Sequence, residues 1–84
     1  AIHTAITDVA AQIAAGIEIA QACHDAEQKL KSAGFGPVDY VAVRDAATLA
    51  AVDHVGDRPL RILAAAWLGK TRLIDNIAAG PQAS

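Results

Sequence analysis

Branched apolar residues recur along the first seventeen positions at steps of four, three, four and four: Ile2, Ile6, Val9, Ile13 and Ile17. That spacing lays them on one stripe of an α-helix, and the alanines between them favour helix intrinsically. The stripe is already running at the second residue, and Gly16 is a natural stop. A second helix is predicted over Ile19 to about Ala33. Its narrow inner face is Ile19, Ala22 or Cys23, Ala26, Leu30 and Ala33, with Glu27 and Lys31 as an i, i+4 surface pair. Lys29 and Lys31 suit the dipole of its last turn, and Gly34-Phe35-Gly36-Pro37 ends it.

Beyond Pro37 the period changes. Val38 to Arg44 is short, β-branched and aromatic, and is predicted to be a strand. Asp45 to Pro59 is a connection whose middle, Ala46 to Ala51, has the composition of a helical turn. Leu60 to Leu68 and Thr71 to Ile77 are two further strands, separated only by Gly69-Lys70. A two-residue loop with glycine first is the signature of a type II′ hairpin. The expected fold is therefore α+β, two N-terminal helices on one face of a three-stranded antiparallel sheet. In the Leu60 to Leu68 strand, one face presents Leu60, Ile62, Ala64, Ala66 and Leu68, and the other Arg61, Leu63, Ala65 and Trp67. Both are largely apolar, as in a strand covered on both sides. Two short helices cover one side only, so the second is expected to lie open as a contact surface.

Composition sharpens this picture. Of 84 residues 54% are apolar, but 21 are alanine, so the core is thin and stability marginal. Charged residues make up 19%, and glycine plus proline number only nine, which argues against intrinsic disorder. The longest uninterrupted apolar run, Ile62 to Leu68, has 7 residues, far short of the roughly 20 that span a bilayer. No membrane association is expected. No cationic leader precedes an apolar stretch, so no secretory signal is expected either. The chain begins with alanine rather than methionine, which points to a processed chain or a piece of a longer one. Residues 81–84, from Pro81 on, are expected to be a flexible tail.

The net charge of −2 argues against nucleic-acid binding. The charge is uneven, however: Arg44, Arg58, Arg61 and Arg72 all fall in the second half. They are either ordinary surface solvation or a cluster facing a phosphate or an acidic partner. Cys23 is alone, so no intramolecular disulfide forms, and a reducing cytoplasm fits best. Its neighbour His24 points about 100° away around the helix, and His3 and His54 have no ligand-like spacing to the pair. No metal site is expected. Asp53-His54 falls in a loop with no visible nucleophile or orienting group.

The run from Gly36-Pro37-Val38-Asp39-Tyr40 through Arg44-Asp45 to Ala47-Thr48-Leu49, and the run from Arg58-Pro59-Leu60 to Gly69-Lys70-Thr71-Arg72-Leu73-Ile74-Asp75-Asn76-Ile77, resemble the C-terminal part of the pantothenate synthetase (pantoate–β-alanine ligase) family. The family pattern there is a strand like PDYVEVRD, an apolar strand, and a terminal GxTRLIDN. The resemblance implies a two-domain cytoplasmic enzyme that condenses pantoate and β-alanine to pantothenate through a pantoyl adenylate. It uses ATP with Mg²⁺ and releases AMP and pyrophosphate.

The resemblance also implies that the partner is an N-terminal Rossmann-type domain carrying the nucleotide motifs, through which the parent is a homodimer. None of those motifs is in these 84 residues: no HxGH, no Gly-rich phosphate loop, no Ser-Ser-Arg. Residues 1–80 are then a C-terminal lid domain that binds no cofactor itself, holds no catalytic residue, and is inactive alone. Trp67, Arg72, Asp75 and Asn76 are the candidate domain-interface residues. Trp67 is either core or interface. Asp75 and Asn76 otherwise satisfy turn backbone, with Arg72 paired to a carboxylate such as Asp75. The competing reading is a free-standing α+β interaction module using the open sheet face.

Overall fold

The computed structural model describes residues 2–52, 56 and 59–79. Helix α1 (Ile2–Ala14) and helix α2 (Ile19–Ser32) precede strands β1 (Val38–Asp45), β2 (Leu60–Leu68) and β3 (Thr71–Ala79). The sheet is antiparallel in the order β1-β2-β3. The fold class is thus α+β as the periodicity predicts. Arg58, the Asp53-His54 pair and the tail from Pro81 lie outside the described residues.

Both helices end by the same device. Gly16 and Gly34 have φ of +93° and +97°, a region open to glycine because it lacks a Cβ. At α1 the amide of Ile17 donates to the Gln12 carbonyl and that of Gly16 to Ile13; at α2, Phe35 donates to Leu30 and Gly34 to Lys31. These are two Schellman closures, each satisfying carbonyls that the helix end leaves over. The second also turns Phe35 back into the core beside Leu30.

Ile2, Ile6, Val9 and Ile13 are buried along the stripe read from the sequence, joined by Ala5. Ile17 leaves it: beyond the glycine the chain has departed from helical geometry, and the side chain is 41% exposed. Ala33 likewise is exposed at the C-cap, while Ile19, Ala22, Ala26 and Leu30 form the buried face of α2. The Glu27–Lys31 surface pair does not close. Instead Lys29 bridges to Asp8 of α1 at 2.9 Å, tying the two helices together.

The helices lie on one side of the sheet, where Val41, Val43, Leu60, Ile62, Ala64, Ala66 and Ala79 complete the core. Asp75 faces this side as well, at its edge. It is register-paired with Ala64, and its Oδ2 lies 3.1 Å from Nδ1 of His3 in the first turn of α1. The turn between β2 and β3 is the two-residue loop expected. Gly69 has φ of +63° and Lys70 stays out of the left-handed region, which is the II′ arrangement. Among the described residues no helix is long and apolar enough to cross a membrane.

Candidate functional site

Strand alternation decides what stands on the side away from the helices. In antiparallel pairs, directly opposed residues share a face. On β2 that face carries Arg61, Leu63, Ala65 and Trp67, as the sequence pattern implies. Opposite them lie Arg44, Ala42 and Tyr40 on β1, and Ala78, Asn76, Ile74 and Arg72 on β3. Ile74 is 58% exposed and Tyr40 36%, while Leu63 and Trp67 are half-buried. This is a continuous apolar surface with arginines at both ends.

The connection after β1 adds a wall to it. Asp45 Oδ1 accepts the amides of Ala47 and Thr48, and its carbonyl accepts that of Leu49. Its own amide donates to the Ala50 carbonyl, and the Thr48 hydroxyl accepts the Ala50 amide. The helical turn predicted over Ala46 to Ala51 is therefore a single turn, after which Ala51 bridges back to Arg44. Leu49 at its end has φ of 61° and is 55% exposed. A branched side chain in left-handed backbone costs about 1–2 kcal/mol, and here the surrounding hydrogen bonds hold it. Leu49, Tyr40, Ala42, Arg44 and Leu63 line an open groove of about 250 Å³.

The arginines differ in how they are held. Arg72 Nε donates to Asp39 Oδ2 at 2.8 Å, spanning the central strand. Arg61 Nη1 donates to the amide oxygen of Asn76 at 3.1 Å. Arg44 stands directly opposite Arg61 in the register. Among the described residues, no carboxylate pairs with either of these two guanidinium groups.

Of the four residues singled out in the sequence, Trp67, Arg72 and Asn76 therefore share the open face. Asp75 is on the other side of the sheet, against α1. Arg72 takes a carboxylate, but it is Asp39 rather than Asp75. Tyr40 and Leu49 join the site without having been candidates. Strand alternation alone carries Tyr40, and nothing in Ala46-Ala47-Thr48-Leu49 signals the left-handed leucine.

Cys23 is half-buried and packs against the core, with His24 exposed beside it. Burial, with a smaller contribution from the Glu27 carboxylate, pushes its thiol above the usual range. That is the opposite of what a nucleophilic cysteine needs. Among the described residues no group of three or more His, Cys, Asp or Glu could hold a metal ion, and no buried side-chain nitrogen or oxygen lacks a partner.

The described residues thus offer an open face and no cluster of catalytic groups, and comparison with known proteins places the chain among its relatives. The sequence model described as Pantoate-beta-alanine ligase matches residues 1–78. The chain belongs to the pantoate–beta-alanine ligase family. Pantothenate synthetase of Paramagnetospirillum magneticum is 56% identical over 77 residues, which is 92% of this chain and 27% of that protein. The enzyme of Caulobacter vibrioides is 49% identical over 95% of this chain and 29% of its own length. The crystal structure of pantothenate synthetase from Thermus thermophilus superposes with a TM-score of 0.74 at 27% identity, over 90% of this chain and 27% of that one. The chain thus spans less than a third of the length of these family members.

Proposed function

We propose that this chain, over residues 1–80, is the closing domain of an ATP-dependent, AMP-forming ligase that condenses pantoate with β-alanine to pantothenate. The observation that carries the reading is the open, arginine-flanked apolar face of the sheet, in a family member that spans less than a third of its relatives. In the proposed reaction the pantoate carboxylate attacks the α-phosphorus of ATP and pyrophosphate leaves. The β-alanine amine then attacks the activated carbonyl and AMP leaves. The mixed anhydride between those steps is prone to hydrolysis, so a cover that expels water protects it.

A cover of this kind needs an apolar surface that is desolvated easily and a few cations that favour closure over phosphates. Leu63, Trp67 and Ile74 supply the first, and Arg44, Arg61 and Arg72 the second. ATP and Mg²⁺ belong, in this proposal, to the remainder of the enzyme. That remainder is a Rossmann-type domain and the seat of a homodimer contact, and the enzyme works in the cytoplasm.

The test is direct. The purified 84-residue chain, given pantoate, β-alanine and Mg-ATP, is expected to release no pyrophosphate, whereas the full-length enzyme does. Pantothenate formed by the chain alone overturns the division of labour. A tight homodimer of the chain through the open face, with no effect of Trp67→Asp on the full-length enzyme, favours a free-standing interaction module instead.

A further inference from the structure

One corner of the open face carries two features that cost this fold stability. Arg44 and Arg61 stand directly opposite each other on adjacent strands, a like-charge arrangement that is unfavourable in an antiparallel pair. The Asn76 amide oxygen offers Arg61 a neutral partner only, and Arg44 has no carboxylate partner among the described residues. Beside them Leu49 is held in left-handed backbone with more than half its surface in water. The hydrogen bonds around Asp45 fix this leucine in place rather than letting it fold away.

The repulsion and the exposed leucine surface are both relieved by one kind of neighbour. A carboxylate entering between two guanidinium groups turns their repulsion into a pair of charge-assisted hydrogen bonds. Apolar surface next to that carboxylate takes Leu49 out of water and fills the groove along Tyr40, Ala42 and Leu63. The groove is open and wide-mouthed, which suits a protruding protein side chain better than a small molecule that must be enclosed. The helices already cover the opposite side of the sheet, and the family members extend over more than three times the length of this chain.

We propose that when this face closes, an Asp or Glu on the remainder of the same polypeptide enters between Arg44 and Arg61, and Leu49 seats in apolar surface beside it. The proposal rests on the closing-domain reading for the identity of the occupant. The arginine pair and the leucine are its own content.

The test uses the full-length polypeptide that contains this chain, with Arg44→Gln, Arg61→Gln, Arg44→Lys and Leu49→Asp, and with Lys70→Glu in the β2–β3 turn as control. Pantothenate formation and hydroxyl-radical footprinting of Leu49, Tyr40 and Trp67 are both read. Arg44→Gln and Arg61→Gln are expected to lower kcat/KM about tenfold or more and to raise labelling of Leu49. Leu49→Asp is expected to lower kcat/KM in the same direction. Arg44→Lys recovers part of the loss, and Lys70→Glu changes kcat/KM by less than about twofold. Raising ionic strength weakens the wild-type enzyme more than the glutamine variants. Without substrates, when the face is open, Arg44→Gln is also expected to melt no lower than wild type, since it removes a repulsion, so the loss of activity is not loss of fold.

If the glutamine variants match Lys70→Glu while Leu49 stays protected, the face is covered without the arginines. The proposal then fails and the closing-domain reading stands. If Leu49 and Trp67 label as fully exposed side chains with and without substrates, nothing covers the face and both fail. Protection of Leu49 that appears only on adding inorganic phosphate or acetate assigns the socket to a free anion and overturns the proposal.

Discussion

Arg72 Nε and Asp39 Oδ2, 2.8 Å apart, join the two outer strands of the sheet across the strand between them. Both side chains keep about a third of their surface in water, 39% and 31%. The pair works in a high dielectric and is screened by salt. Arg72→Ala is therefore expected to lower stability by no more than about 1 kcal/mol, with the difference shrinking at high ionic strength. Urea titrations at low and high salt measure it. A larger loss would mean that the strap holds the sheet's outer strands rather than trimming its surface.

The two faces of β2 answer differently to substitution. Ala64 is fully buried between sheet and helices, so Ala64→Leu is expected to cost about 1–3 kcal/mol through overpacking. Ile62→Ala removes a fully buried side chain and is expected to cost about 2–5 kcal/mol, enough to unfold much of so small a domain. Trp67→Ala, on the half-open face, is expected to cost less than Ile62→Ala in the same denaturant titration. Reversal of that order would place Trp67 in the core.

Leu49 and Asp45 form a lock and the strained part it holds. Leu49→Asn suits the φ of 61° and is expected to leave stability unchanged or raise it by about 0.5–1 kcal/mol. Leu49→Val, β-branched, is expected to lower it by about 1 kcal/mol or more. Asp45→Ala deprives the Ala47 and Thr48 amides of their acceptor and is expected to cost about 1 kcal/mol. Amide hydrogen exchange at Ala47 to Ala50 should quicken in that variant alone.

Cys23 sets a pH dependence. Its thiol is raised in the folded chain, so the folded state keeps the proton to higher pH than the unfolded state does. Between the two values the folded state binds more protons, and stability falls as pH rises. The decline begins near the unfolded thiol pKa of about 8.5 and is absent in Cys23→Ala. Denaturant midpoints across the alkaline range test this. Alkylation by iodoacetamide at neutral pH should be slower than for a free thiol of ordinary pKa.

The elements are legible because each obeys one period. Five branched residues at helical spacing mark α1, and Gly69 before Lys70 marks the hairpin. The open face of β2 follows from two apolar rows and only enough helix for one. Three things are hidden. Ile17 continues the stripe in sequence, but the chain leaves the helix at Gly16, and periodicity does not see a positive φ. The partners of Arg72 and Asp75 depend on which side of the sheet each falls. Alternation already separates Arg72 from Asp75, three residues on, but spacing gives no reason to choose Asp39 for the one or His3 for the other. Leu49 is set by a turn whose hydrogen bonds come from Asp45, four residues earlier, and its exposure contradicts its hydrophobicity.

Ala64, Ala65 and Ala66 sit fully buried at the middle of β2, two toward the helices and one toward the open side. None has a rotamer to change. Whatever rests on either side of that point is positioned by the main chain itself. A push from α1, the helix that packs on β2, reaches the far surface without being absorbed by side-chain rearrangement at these three positions. The poorest part of the core is thus its stiffest linkage, a place where force passes straight through the sheet.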